Sequence, residues 1–163
     1  MTASAPSQDS SFEITATIRE LMDSTVDPSA DGLWDAVAVT STRKGVDEHQ
    51  PKTDEDWAAV RRHAVTLMES MNLVVMNGRH AAPPGTKAAE GELTSDEIDQ
   101  KIAANREALV GFAKGLRATA AKALTAVDKK DVQGLFEAGG DIDEACEACH
   151  VFFWYPNQKV PQP

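Results

Sequence analysis

The chain predicts an all-α fold: an antiparallel four-helix bundle with an extra short helix between helices one and two. Three observations carry this. Apolar residues recur at three-and-four spacing along four long segments, no segment alternates convincingly with the period of a strand, and Pro and Gly cluster between the helical patterns. At 163 residues the chain is about one domain's worth. Residues 1–10 are small and polar and read as a flexible N-terminal segment, leaving residues 11–163 as a single domain.

The first helix is expected over residues 11–26, with Ile14, Ile18, Leu21, Met22 and Thr25 on one stripe and Asp27-Pro28 as its stop. A shorter helix follows from Pro28, a residue suited to a first turn, anchored by Trp34, Val37 and Val39. Residues 41–50 read as a polar linker. Thr53 is an N-cap with Asp54, Glu55 and Asp56 as an acidic first turn. The helix it opens carries Trp57, Val60, Ala64, Leu67, Met71 and Val74 or Val75, and ends near Asn77-Gly78. Residues 80–93, with Pro83-Pro84-Gly85 and Gly91, read as a surface loop. A third long helix begins at Thr94 or Ser95 and holds Ile98, Ile102, Leu109, Ala113, Leu116, Ala120, Leu124 and Val127 in one stripe. Lys129-Lys130-Asp131 makes a turn in which Asp131 caps the last helix. That helix runs through Leu135, Ile142 and Ala145 to Pro156, and Gly139-Gly140 inside it predict either a close approach or a kink.

Sixteen basic against twenty-six acidic residues give a net charge of −10. Such a surface repels nucleic acid and anionic lipid and favours locally positive protein partners. No apolar run approaches the ~20 residues needed to span a bilayer. The polar first residues lack the apolar core of a signal peptide and read as a mature N-terminus.

Within the last helix stands Cys146-Glu147-Ala148-Cys149-His150, the Cys-x-x-Cys-His attachment pattern of a c-type haem. Two thiols bond to the porphyrin's vinyl groups and the imidazole that follows binds iron. On a helix the three side chains share one face. Other chemistries fit less well. A thioredoxin-like dithiol expects a βαβ setting, a zinc site wants a fourth ligand, and a disulfide within one helical turn is poorly placed. Covalent attachment of haem in bacteria takes place outside the inner membrane, which points to a periplasmic protein whose leader has been removed.

A Cys-x-x-Cys-His near the C-terminus, on the last helix of a four-helix bundle, resembles the class II cytochromes c, the cytochrome c′ and cytochrome c556 proteins. The resemblance covers residues 11–155. The chain departs from the pattern in its long connection between residues 27 and 52, and in Val151-Phe152-Phe153-Trp154-Tyr155 after the motif, where these proteins often carry a basic residue. The resemblance implies one haem c and an iron whose sixth position faces the first helix. Met22, with Arg19 one turn before it, matches a first-helix methionine ligand. Met22 as a gap-filling core residue, or Leu21 facing an open iron, are the competing readings. Met68, Met71 and Met76 are further candidates on helix two. Arg19 is a candidate partner for a haem propionate, since guanidinium pairs bidentately with carboxylate; Arg61 and Arg62 are weaker ones. His49 and His80 are expected to face solvent, and His63 to be partly buried.

No catalytic constellation stands out. The expectation is a non-enzymatic monohaem electron carrier, with His150 and Met22 on iron. A dehydrogenase would be its donor and an oxidase or another cytochrome its acceptor, and the carrier itself would be a monomer or homodimer. The alternative is a five-coordinate protein that binds nitric oxide or carbon monoxide.

Overall fold

A computed structural model describes residues 12–157, and the flexible segment expected at residues 1–10 lies outside them. The described chain is mostly helical. In order it holds α1 (Ile18–Leu21), a π-helical turn (Met22–Val26), α2 (Asp27–Asp35), β1 (Val39–Thr42), β2 (Gly45–Glu48), α3 (Asp54–Val74), α4 (Ser95–Ala104), α5 (Arg106–Asp128) and α6 (Val132–Phe153). Helix α5 packs along both α3 and α6, and α2 lies against α3 and α6. Ile18, Leu33, Leu67, Leu109, Leu135, Ile142 and Phe153 are fully buried between them.

The first helix differs from expectation at both ends. It starts at Ile18, not at residue 11, because Thr17 and Glu20 close a capping box. The Glu20 amide donates to Thr17 Oγ1 at 3.3 Å and the Thr17 amide donates to Glu20 Oε2 at 2.8 Å. Ile14, placed on the buried stripe by its spacing, is exposed. Nor does Pro28 stop the helix. α1, the π turn and α2 follow one another without a break, so the separate short helix becomes the second half of one rod. A proline in a regular helix collides with the carbonyl four residues back. Here the turn just before it is widened, and the Asp27 amide donates to Met22 O, five residues back. Ser24 Oγ donates to Glu20 O at 2.5 Å and Ser29 Oγ to Thr25 O at 2.6 Å, satisfying carbonyls along the widened stretch.

Residues 41–50 are not a plain linker. β1 and β2 pair antiparallel with Val39 opposite Glu48 and Thr42 opposite Gly45, around a two-residue turn at Arg43-Lys44. Gly45 takes φ +131°, a conformation L side chains rarely adopt. The chain is therefore not purely helical.

α3 begins as its cap predicts, with Thr53 and Asp56 in a reciprocal box. The expected third helix is broken at Asn105 (φ −130°, ψ 43°) into α4 and α5. Asn105 Nδ2 donates to Lys101 O at 2.9 Å, a local bond that competes with the helical ladder. Asp131 caps α6 through the Gly134 amide at 2.9 Å. Gly139 resolves as a close approach: Trp34 Nε1 donates to its carbonyl at 3.0 Å, and a Cβ there would sit 3.1 Å from the indole.

The loop from residue 78 to 93 is pinned to the start of α1. The Ile18 and Arg19 amides, left without helical partners, donate to the His80 and Ala81 carbonyls at 2.9 Å each. Arg79 is buried beneath them and donates to Leu73 O at 2.7 Å, to Ala16 O and to Met76 Sδ. Burial pushes its pKa below the usual guanidinium range. Arg79→Ala is expected to cost about 1–3 kcal/mol in urea unfolding, because it strips the Leu73 carbonyl at the end of α3 and the Ala16 carbonyl ahead of α1 of their buried donor. A loss under about 0.5 kcal/mol would mean water replaces the guanidinium there.

Candidate haem site

Cys146, Cys149 and His150 lie on one helix, α6, at the i, i+3, i+4 spacing that sets side chains on one face. All three are half-buried and line a cleft of about 170 Å³ walled by the rod, α3 and α5. Met22, Val26, Ala30 and Trp34 face it from the rod, and Leu109, Phe112 and Leu116 from α5. A second cleft of about 210 Å³ adjoins it, lined by Arg19, Met22, Glu92, Cys149, His150, Trp154 and Tyr155 among others. Met22 and His150 thus border both spaces, together with Val74, Leu109 and Cys149.

The π turn is what aims Met22. It separates the phase of α1, which buries Ile18 and Leu21, from that of α2, which buries Ala30 and Leu33. Met22 opens the turn and stays half-buried at the clefts, with Val26 one turn on, while Leu21 is buried in the core and lines neither cleft.

Met71 from α3 also lines the first cleft, whereas Met76 is engaged by the Arg79 guanidinium at 3.2 Å. Arg19 reaches the second cleft but is paired with Glu92 at 2.8 Å, so a propionate there would have to share or displace that carboxylate. Arg61 is spent on Asp128 at the surface, at 2.9 Å. His49 and His80 face solvent, and the partly buried His63 ring presses on Gly32, all away from these clefts.

His150 is flanked by aromatic rings. Trp154 lies edge-on with centroids 6.3 Å apart and Tyr155 is tilted at 6.1 Å. Tyr155 Oη donates to Glu147 Oε2 at 2.8 Å, spanning the motif. Burial and that carboxylate push the tyrosine pKa up to about 12. Asp27 lines the first cleft; burial raises its pKa, and His150 opposes the rise. Asp27 does not announce such a role by spacing, because its proximity to His150 is tertiary.

Burial, with Asp27, Asp143 and Glu147 nearby, pushes the Cys146 thiol up to about 11; burial and Cys146 push Cys149 up to about 12. A redox-active dithiol needs the opposite, a lowered pKa. Each unit above the usual thiol value removes about tenfold of thiolate near neutral pH. Folded protein lacking haem is therefore expected to alkylate with iodoacetamide at pH 8 roughly 100-fold more slowly than the same chain in urea. Equal rates in the two states would show thiols open to solvent.

Among the described residues no three His, Cys, Asp or Glu side chains gather as a metal-holding group. A haem would ask for no such group: two thiols to hold the porphyrin covalently, with an imidazole and a soft thioether as iron ligands, would suffice. Apolar walls, half-buried thiols and two sulfur- and imidazole-bordered spaces fit that demand. No family model, curated protein or solved structure matches this chain.

Proposed function

We propose that the chain is a monohaem c-type electron carrier of the class II cytochrome c type, with its long helices arranged as an antiparallel four-helix bundle around the cofactor. One observation carries the reading: the face of α6 bearing Cys146, Cys149 and His150 opens onto an apolar cleft whose opposite wall holds Met22. Cys146 and Cys149 would hold the group covalently, while His150 and Met22 would bind its iron.

Haem c supplies reversible one-electron chemistry when bound. The residues keep that chemistry simple. A thioether and an imidazole together favour the reduced state and a high potential. Val26, Ala30, Leu109, Phe112 and Leu116 keep the surroundings apolar, and Trp154 and Tyr155 confine the His150 ring. Electrons would leave and enter at the cleft mouth near the motif, where Asp143 and Glu147 are exposed. A dehydrogenase donor and an oxidase or cytochrome acceptor in the periplasm are the partners this reading implies, and a positive patch on either would be steered by the acidic surface. No helix of the described residues is long and apolar enough to cross a membrane.

The test is a pair of visible spectra on protein made in a host competent for c-type maturation. A sharp reduced α-band, with a weak far-red thioether–iron band when oxidised, is the expected result. A broad reduced band that shifts under carbon monoxide would replace this reading with the open-iron, gas-binding one. Absence of haem absorbance would overturn both.

A further inference from the structure

The hairpin formed by β1 and β2 is anomalous as it stands. Every one of its eight strand residues is exposed, including Val39 and Val46, 58% and 64% accessible. A lone two-stranded hairpin is marginal in water; a third strand or an apolar backing is what stabilises one. We propose that β1 pairs antiparallel with β1 of a second copy of this chain, about a two-fold axis at Thr40, giving a four-stranded sheet.

The hydrogen-bond pattern makes β1 an open edge. The His49 amide donates to Ala38 O at 2.8 Å, and Thr42 faces Gly45 at the turn. Antiparallel ladders alternate, so residues 38, 40 and 42 bond to β2 while Val39 and Ser41 turn their amides and carbonyls outward. No described backbone group meets them. Natural edges are usually blunted by charge or proline, yet Val39-Thr40-Ser41-Thr42 carries neither. β2 carries Asp47 and Glu48, whose charges oppose a β2-to-β2 pairing.

The two-fold at Thr40 sets Val39 of one copy against Ser41 of the other. Val39, Ser41, Val46 and Glu48 share one face of the hairpin, so the valines of both copies would gather on one side. Charge complementarity selects the occupant. Arg43 and Lys44 form a cationic tip on a chain of net charge −10. In this register the Arg43-Lys44 tip of each copy runs past Thr42 toward the base of the other hairpin, where Val39 pairs with Glu48. Each basic tip thus approaches the acidic base of the other hairpin. The pairing is independent of what Cys146, Cys149 and His150 bind.

Four-residue strands bury less than a standard interface, so the dimer would be reversible, with a dissociation constant on the order of 10–100 μM. Sedimentation velocity of the full chain over about 5–500 μM tests it. The wild type is expected to shift from monomer to dimer across that range. Thr40→Lys and Thr40→Glu, each setting like charges face to face on the axis, are each expected to weaken association at least ~10-fold. An equimolar mixture of the two should regain the dimer, with circular dichroism confirming that both are folded. A wild type that stays monomeric, a Thr40→Lys protein that dimerises unchanged, or a mixture of folded variants that stays monomeric would overturn the proposal.

Discussion

Under the proposed His150/Met22 ligation, replacing Met22 by Ala is expected to convert a low-spin haem spectrum to a high-spin one, abolish the far-red thioether–iron band and lower the reduction potential. The argument is one of position. Met22 is the methionine that borders both spaces beside His150, and it is half-buried, so truncation opens the cleft without gutting the core. Thioether ligation stabilises reduced iron, and its removal leaves a position that carbon monoxide can take. Met71→Ala is the matched control. Met71 lines the first cleft only and is buried in the core, so its truncation should cost stability while leaving the low-spin spectrum in place. An unchanged Met22→Ala spectrum would strike Met22 from the ligand set, and a change confined to Met71→Ala would move the assignment to α3.

Phe153→Ala is expected to destabilise the fold by about 3–5 kcal/mol, the range for truncating a large aromatic side chain inside a packed core. Phe153 is fully buried, the last residue of α6, and three positions beyond His150. Its ring meets Phe152 at 4.8 Å and Phe112 at 6.1 Å between centroids, both edge-on. Removing it leaves a cavity under the helix that presents the motif. Thermal unfolding should fall by roughly 6–20 °C for a chain of this size. Phe136, on the same helix but 55% exposed, gives the contrast: Phe136→Ala should stay within about 0.5 kcal/mol. Similar losses for both would mean the aromatic cluster is not the anchor of the α6 C-terminus.

What could be read from the sequence was what local chemistry dictates. Thr53 and Asp131 declare their helix starts through side chains that reach only three residues ahead. Cys146, Cys149 and His150 declare themselves by spacing alone. Other signals were present but outweighed. Thr17 and Glu20 form the same kind of box as Thr53, yet Ile14 extends the apolar stripe past them. The run Val39-Thr40-Ser41-Thr42, β-branched at three of its four positions, followed by Lys44-Gly45-Val46 is a hairpin in miniature, hidden by its polar surroundings. Tertiary features had no local trace. Glu92 is 73 residues from Arg19, and Trp34 finds the Gly139 carbonyl 105 residues away. At the candidate site the attachment residues were therefore legible, and Met22 and Met71 could be named as candidates, whereas Asp27 and the Tyr155–Glu147 bond could not.

The widened turn at Met22–Val26 also sets how this chain can change. A regular helix ties every side chain to one angular clock, so an insertion or repacking at one end rotates the demand on the other. A π turn resets that clock. Here the segment ahead of it answers to Ile18 and Leu21, and the segment after it to Ala30 and Leu33. Variation at position 22 is thereby uncoupled from variation at 30 and 33, and the residue facing the cleft can be exchanged while the rod keeps its seat.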